Sequence, residues 1–260
     1  MDTGTNRMIA RKEGAVGWMI FNNPQRLNAV SYDMWLAVPK ILDAYAADPE
    51  VRCVVLAGAG DKAFVSGADI SEFGEKRSGD GAKLYNEATD IATAAIKQFR
   101  KPTITMIKGY CVGGGVGIAI SSDNPIAPQG ARFAVPAAKL GRGYRFDGIK
   151  TLSDVVGPSF AKEIFFTARQ FDADEALTMG LINRLVDLDK LDAYVADYAK
   201  RIGENAPMTI SAAKFCVNEA MKDGTERDLA TADAMVNACF ASADYTEGRT
   251  AFMEKRKPAF

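Results

Sequence analysis

The sequence reads Ala63-Phe64-Val65-Ser66-Gly67-Ala68-Asp69-Ile70 at one point and Gly109-Tyr110-Cys111-Val112-Gly113-Gly114-Gly115-Val116-Gly117 at another. These two glycine-bearing turns decide the fold. Each follows an apolar, β-branched run, residues 53–56 and 103–107, which predicts a buried strand. Each also leads into a segment that can start a helix. The sequence therefore predicts two strand–turn–helix units whose turns carry the chemistry.

Such turns expose backbone N–H groups. Glycine lets the main chain approach a ligand closely, and the first turn of a helix leaves its N–H groups unpaired at the positive end of the helix dipole. If the fold brings the N–H groups of Ala68 and Gly114 within about 3 Å of one point, that point holds an oxygen that gains negative charge. We therefore predict an oxyanion hole to which the rest of the chain delivers a carbonyl.

Composition narrows the class of substrate. The chain has 260 residues, 48% of them hydrophobic, which is enough for a full core. A formal charge of -1 provides no electrostatic footprint for nucleic acid or an anionic membrane, so we expect a small-molecule substrate. Histidine is absent, which excludes Ser–His and Cys–His pairs and histidine metal sites together. Carboxylates, tyrosine, lysine and backbone dipoles remain as candidate catalytic groups, and no metal site is expected.

The four cysteines lack C-x-x-C spacing and stand in apolar or helical contexts, which predicts buried free thiols in a reducing compartment. No apolar stretch approaches about 18 residues, and the first residues lack a charged-then-apolar leader. We therefore expect neither membrane association nor secretion, and a cytoplasmic location.

The chain divides into an α/β part and a helical part. Strand and helix patterns alternate through the first part, which we place at residues 1–200 as the core, and residues 201–260 form a helical C-terminal region. From Gly157 onward nearly every pattern predicts helix. The predicted helices are 159–167, 173–179, 188–204, 207–223, 226–240 and 244–254.

The two turns resemble those of the crotonase, or enoyl-CoA hydratase/isomerase, superfamily, whose members carry A-F-x-x-G-A-D-I and G-x-x-x-G-G-G at a similar separation. Further matches lie along the whole chain, at Asn23-Pro24 with Leu27-Asn28-Ala29, Phe165-Phe166-Thr167-Ala168, Gly180-Leu181-Ile182-Asn183, Ala206-Pro207 and Ala251-Phe252-Met253-Glu254-Lys255-Arg256-Lys257. The resemblance implies an α/β spiral of ββα units, with a helical C-terminal region used for contacts in a homotrimer or a dimer of trimers.

The resemblance also implies the substrate and its contacts. Ala68 and Gly114 would bind the thioester oxygen of an acyl-CoA and stabilise its enolate, with coenzyme A entering as part of the substrate and no separate cofactor. The other residues that the resemblance places around the CoA are Arg26, Leu27, Ala29, Asp69, Ile70, Ser71 and, from a neighbouring subunit, Lys255. Arg26 and Lys255 are equally compatible with solvated surface cations.

Two expected carboxylates are missing. Hydratases of this family use one glutamate two residues after the G-G-G run and another directly after a proline; those positions are Gly117 and Ala137 here. Hydration needs a base for water and an acid for the α-carbon, and neither residue can transfer a proton. Decarboxylation of a malonyl-type thioester needs only enolate stabilisation, because CO₂ departs with no proton to remove from carbon.

The C-terminal half of the sequence also favours decarboxylation. It is similar to bacterial methylmalonyl-CoA decarboxylases around Gly143-Tyr144, Glu163-Ile164-Phe165-Phe166-Thr167-Ala168 and Asp244-Tyr245-Thr246-Glu247-Gly248. By that resemblance Tyr144 contacts the substrate carboxylate. Those enzymes usually carry histidine where Ala68 stands. The leading hypothesis is a 2-carboxyacyl-CoA decarboxylase.

Two alternatives stay open. In one, the chain is a hydratase or isomerase that uses a relocated base, for which Asp147 is the candidate. In the other, it is a non-catalytic acyl-CoA-binding protein. Tyr144 is also compatible with a tyrosine that packs a loop, and Asp147 with a turn former.

Overall fold

A computed structural model describes residues 2–69 and 80–260. Over these residues the chain forms nine strands and nine α-helices. The strands are β1 (Met8–Glu13), β2 (Val16–Phe21), β3 (Cys53–Gly58), β4 (Ala63–Val65), β5 (Thr103–Met106), β6 (Tyr110–Val112), β7 (Asn124–Pro128), β8 (Arg132–Ala134) and β9 (Arg184–Val186). The helices are α1 (Tyr32–Ala47), α2 (Asp80–Gln98), α3 (Gly114–Ser121), α4 (Phe146–Thr167), α5 (Ala173–Thr178), α6 (Leu191–Gly203), α7 (Pro207–Ala220), α8 (Leu229–Phe240) and α9 (Ala243–Met253).

Successive units send their strands to two different sheets. The larger sheet has the order β1-β2-β3-β5-β7-β9, and the smaller one has the order β4-β6-β8. Strands β1 and β2 pair antiparallel, whereas all other pairs are parallel. Each of the pairs β3/β4, β5/β6 and β7/β8 therefore steps from the large sheet to the small one, which confirms the predicted spiral of ββα units.

The central strands β3, β5 and β7 of the large sheet are buried on both faces, as apolar runs such as residues 53–56 predict. In β3, Val54 and Leu56 face one core, which helices α1 to α4 help to enclose. The alternate residues Cys53, Val55 and Ala57 face a second core, which α6 covers with Leu191, Val195 and Ala199. The period-2 alternation of the strand thus divides its side chains between two cores.

One element beyond Gly157 was not predicted. Strand β9 lies between the predicted helices 173–179 and 188–204; it is only three residues long and pairs with β7, Ile126 opposite Arg184. So short a strand has no periodicity of its own, and its conformation depends on the neighbouring strand. Helix α4 is interrupted at Gly157, where φ is 76°, ψ is 161° and the backbone is not helical. The segment after this kink agrees with the predicted helix 159–167.

Helices α7 to α9 form the C-terminal part. Lys214 of α7 ties it to the core, because its Nζ donates to Asp123 Oδ2 (2.7 Å) and to the Lys101 carbonyl (3.0 Å). Burial lowers the pKa of Lys214. The boundary at residues 200/201 and the use of this part in trimer contacts stay predictions.

All four cysteines are free; Cys53 and Cys111 are buried, whereas Cys216 and Cys239 are partly exposed, contrary to the prediction for those two. Within the described residues, no helix combines the length and the apolar character that crossing a membrane requires.

Candidate active site

The two turns lie side by side. Strands β4 and β6 pair parallel, with Ala63 opposite Tyr110 and Val65 opposite Cys111. The two turns that follow these strands therefore begin at the same end of the small sheet. An atom at the Cβ position of Gly113 would lie 3.8 Å from Cα of Gly67. The two turns therefore lie close together, as an oxyanion hole shared between them requires.

The approach depends on glycine. Gly67 and Gly113 have φ angles of 114° and 54°, values that residues other than glycine rarely adopt. At Gly115 the conformation is ordinary but space is absent, because a Cβ there would overlap the carbonyl oxygen of Val65.

The two predicted amides are available for a ligand. Beside Ala68, the Gly67 carbonyl accepts the Val30 N–H (2.8 Å) and the Asp69 N–H donates to the Val30 carbonyl (2.9 Å). The Ala68 N–H between them has no hydrogen-bond acceptor within the described residues. Gly114 is the first residue of α3, and its N–H likewise has no acceptor among the described residues. That both N–H groups point at one oxygen stays a prediction.

The segment around Arg26, Leu27 and Ala29 runs along the first turn. Its predicted place beside the CoA stays a prediction. The Ser66 N–H donates to the Leu27 carbonyl (3.1 Å), and the Ser66 hydroxyl donates to the Arg26 carbonyl (3.2 Å). Leu27 has a φ of 52°, and Ala29 is buried. These residues therefore support the turn through the main chain.

Buried Asn28 anchors this segment. It has a φ of 56°, and its amide donates to the carbonyls of Ala59 (3.0 Å) and Ala63 (2.7 Å). The sequence contained this residue in the motif Leu27-Asn28-Ala29 but offered no reason to assign it an anchoring role.

The carboxylate of Asp69 is directed at Arg26. Its side chain is 4% exposed, and its Oδ1 accepts a hydrogen bond from Arg26 Nη1 at 2.8 Å. Arg26 itself is half exposed. The guanidinium thus connects the 26–29 segment to the turn. Of the residues predicted beside the CoA, Ile70 and Ser71 lie outside the described residues.

An open cleft of about 320 Å³ borders the same segment. Its walls are mostly apolar, and Lys62 supplies a cation. The lining residues include Pro24, Gln25, Leu27, Asn28, Asp61 and Lys62. A second cleft, of about 270 Å³, lies between β1, β2 and α6 and contains none of the predicted site residues.

Tyr144 lies before α4 and is partly buried. Its ring packs edge-on against Phe165, with the centroids 4.9 Å apart, and against Gly148. Within the described part of the chain its hydroxyl has no hydrogen-bond partner. Burial raises its pKa above the ordinary value, and nearby Arg142 lowers it to a smaller extent. The side chain is therefore a neutral phenol at physiological pH, able to donate a hydrogen bond.

Within the described residues, the side chains of Asp147 and Lys255 form no hydrogen bond or ion pair with the two turns or with the 26–29 segment. Asp147 is exposed in the first turn of α4, where a carboxylate favourably meets the helix dipole. Lys255 is exposed just after α9, with a φ of 55°. The structure thus gives Asp147 a structural role at the helix N-terminus, and its role as a base stays a prediction.

The positions of the two missing glutamates differ in their surroundings. Among the described residues, no atom lies within 4 Å of a Cβ placed on Gly117 of α3. Ala137 is 7% exposed, at the start of a short 3-10 turn. A side chain at Gly117 would therefore meet none of the described residues at its Cβ, whereas one at Ala137 would be buried.

The amino-acid sequence is similar to those of known enzymes over nearly its whole length. Residues 11–260 match the family model described as enoyl-CoA hydratase/isomerase. A short-chain-enoyl-CoA hydratase of Clostridium acetobutylicum is 36% identical over 252 residues, covering 97% of this chain and 96% of that protein. A methylmalonyl-CoA decarboxylase of Escherichia coli is 33% identical over 246 residues, covering 92% of each.

The crystal structure of an enoyl-CoA hydratase/carnithine racemase from Magnetospirillum magneticum superposes with a TM-score of 0.92. It is 33% identical, and the match covers 98% of this chain and 96% of that one.

Proposed function

The chain belongs to the enoyl-CoA hydratase/isomerase family, and from that premise we propose that it decarboxylates a malonyl-type, or 2-carboxyacyl, CoA thioester. The predicted crotonase fold and membership of this enzyme family are confirmed. The chain is an acyl-CoA enzyme, so the non-catalytic alternative is set aside. One observation carries the proposal: two adjacent turns offer unpaired amides, whereas the two positions that hold the hydratase acid and base carry only Gly117 and Ala137.

The reaction follows from those groups. The Ala68 and Gly114 N–H groups bind the thioester oxygen. The bond between the α-carbon and the carboxylate breaks, CO₂ leaves, and the electron pair moves through the α-carbon to the thioester oxygen as an enolate. The amides stabilise this developing negative charge more than the neutral thioester, which lowers the barrier. Protonation of the α-carbon then completes an acyl-CoA product.

Hydration is the second candidate, because a relative 36% identical to this chain is named as a short-chain-enoyl-CoA hydratase. That reaction requires a base to activate water. Asp147 is the candidate that the sequence offers, and its exposure in the first turn of α4 argues against it.

A panel of CoA esters tests the choice. We expect CO₂ release from methylmalonyl-CoA or ethylmalonyl-CoA, measured by coupled carboxylation, at a kcat/KM at least 100-fold above that for hydration of crotonyl-CoA. The reverse order would contradict the decarboxylase proposal and support the hydratase. Heat-inactivated protein provides the background rate for both reactions.

Replacing Tyr144 by phenylalanine is expected to lower kcat for decarboxylation about 10-fold or more, because the phenol then no longer donates a hydrogen bond to the substrate. Steady-state kinetics across pH 6–9 measure this loss. It should be constant over that range, since the pKa of the buried phenol lies above its ordinary value and the group stays protonated.

The matched control for that variant is Tyr194→Phe. Tyr194 is also partly buried, but it packs against the second core, on the opposite face of the large sheet. We expect its kcat to stay within about 2-fold of the parent. Equal rates for Tyr144→Phe and the parent would remove Tyr144 from the mechanism.

We also propose that the chain assembles as a homotrimer or a dimer of trimers. The C-terminal helices support this, because large apolar side chains there are exposed in one subunit: Val217 (63%), Leu229 (61%), Phe240 (62%), Phe252 (81%) and Met253 (76%). A neighbouring subunit would bring Lys255 to the CoA. Light scattering after size-exclusion chromatography tests the proposal, and a monomer at micromolar concentration would contradict it.

A further inference from the structure

Two large polar aromatic residues meet beneath the paired turns. Trp35 of α1 and Tyr85 of α2 are each 2% exposed. The indole Nε1–H of Trp35 donates to the Tyr85 hydroxyl at 2.9 Å, and that hydroxyl donates to the Val30 carbonyl at 2.9 Å. Buried donors of this kind need partners, and here the two hydrogen bonds lead from Trp35 through Tyr85 to the Val30 carbonyl.

The Val30 peptide is the structural neighbour of Ala68. Its carbonyl also accepts the Asp69 N–H (2.9 Å), and its N–H donates to the Gly67 carbonyl (2.8 Å). These two bonds bracket Ala68 on both sides. Val30 therefore links the Tyr85 hydroxyl to the peptide groups on either side of Ala68. Those peptide groups set the direction of the Ala68 N–H.

The same pair also reaches the second turn. Cζ2 of Trp35 would lie 3.5 Å from a Cβ placed on Gly114, and its Cη2 would lie 3.9 Å away. The distal edge of the indole thus lies beside the first residue of α3. Trp35 therefore borders the Gly114 turn and is connected to the Ala68 turn through Tyr85 and Val30.

We propose that Tyr85 and Trp35 are positioning residues that hold the two amides of the oxyanion hole at a fixed separation. This inference rests on the proposed function, in which both amides bind one oxygen. A hole stabilises charge only when its donors are already oriented, and small displacements of positioned groups are costly in rate. The pair joins α1 to α2, which are far apart in sequence. It therefore fixes the position of one turn relative to the other, which the residues of neither turn can do by themselves.

The test compares Tyr85→Phe with Tyr45→Phe. Tyr45 is also buried, at 3% exposed, and its hydroxyl donates to the carbonyls of Arg11 (2.9 Å) and Trp18 (2.8 Å) in the β1–β2 hairpin. Each variant deletes one buried hydroxyl that bonds the backbone, and only the first is connected to the turns. We expect both to lower the melting temperature, whereas Tyr85→Phe alone lowers kcat about 10-fold with KM changed by less than about 3-fold.

A spectroscopic measurement separates positioning from turnover. Butyryl-CoA with ¹³C at its thioester carbonyl has neither a carboxylate to lose nor a double bond to hydrate. When it binds the parent protein, isotope-edited infrared spectra should show the carbonyl stretch shifted to lower frequency, because the amides polarise it. Tyr85→Phe should lose a large part of that shift, and Tyr45→Phe should keep it.

The outcomes distinguish the two proposals. No shift in the parent protein, with binding shown by calorimetry, would overturn the oxyanion hole and the proposed function with it. A parent shift that Tyr85→Phe retains in full, with unchanged kcat, would overturn only the positioning role. If Tyr85→Phe does not fold, Trp35→Phe serves instead, since it removes both the Nε1–H and the ring edge beside Gly114; a full shift and full kcat in that variant would equally overturn the inference.

Discussion

Replacing Gly114 by proline is expected to lower kcat for acyl-CoA turnover by about 10²–10³-fold while leaving α3 folded. Proline lacks the N–H that is assigned to the oxyanion hole, and loss of one such donor typically has an effect of this size. The site tolerates the substitution because Gly114 is the first residue of α3, where proline is favoured and no intrahelical hydrogen bond is lost. The residue before it, Gly113, has no Cβ to clash with the proline ring.

The matched control is Gly114→Ala, which adds a methyl group and keeps the N–H. That methyl would lie 3.5 Å from Trp35, an ordinary van der Waals distance. We expect kcat within about 3-fold of the parent and a circular dichroism spectrum like that of the proline variant. An equal loss of kcat in both variants would show that the effect comes from packing. Full activity in the proline variant would show that the Gly114 amide is not part of the oxyanion hole.

Introducing glutamate at both Gly117 and Ala137 is expected to create hydration of crotonyl-CoA at a rate at least about 10²-fold above that of the parent. Each positioned acid or base typically contributes about 10²–10⁴ in rate, so both are needed for the full gain. At Gly117 a Cβ would meet no atom of the described residues within 4 Å, and replacing glycine in a helix also favours the helix by up to about 1 kcal/mol. Loss of absorbance at the enoyl thioester band measures hydration.

The same double variant should lose decarboxylation, because two carboxylates beside the substrate repel its carboxylate group. The control is Gly117→Gln with Ala137→Gln, which has nearly the same volume and no acid–base group, and which should hydrate no faster than the parent. Ala137 is buried, so thermal melting must show that both double variants are folded. Hydration by the glutamine control, or none by a folded glutamate variant, would contradict this account of the missing chemistry.

The parts of the site that the sequence predicted are those set by local conformation. Gly67 and Gly113 stood in turns after β-branched strands, and both have the positive φ that such turns need. The unpaired N–H of Gly114 followed from its place at the start of a helix. These features depend on a few consecutive residues, and for that reason they could be read without the tertiary structure.

Other features had no local indication. The carboxylate of Asp69 is buried against Arg26, 43 residues earlier, and its predicted place beside the CoA stays a prediction. The bond from Trp35 to Tyr85 joins residues 50 apart, and nothing in either helix pattern distinguishes them from ordinary core aromatics. Strand β9 was missed for the same reason, because three residues adopt an extended conformation only when β7 offers them hydrogen bonds.

The sequence by itself determined the two glycine turns and the absence of the hydratase glutamates, because backbone conformation and side-chain chemistry are properties of individual positions, and its family resemblance implied the α/β spiral. The tertiary structure alone decided that the Ala68 N–H stays unpaired, that the Asp69 carboxylate is bound by Arg26, and that Trp35 meets Tyr85. Those outcomes depend on distances between segments that the chain brings together only when its two cores are packed.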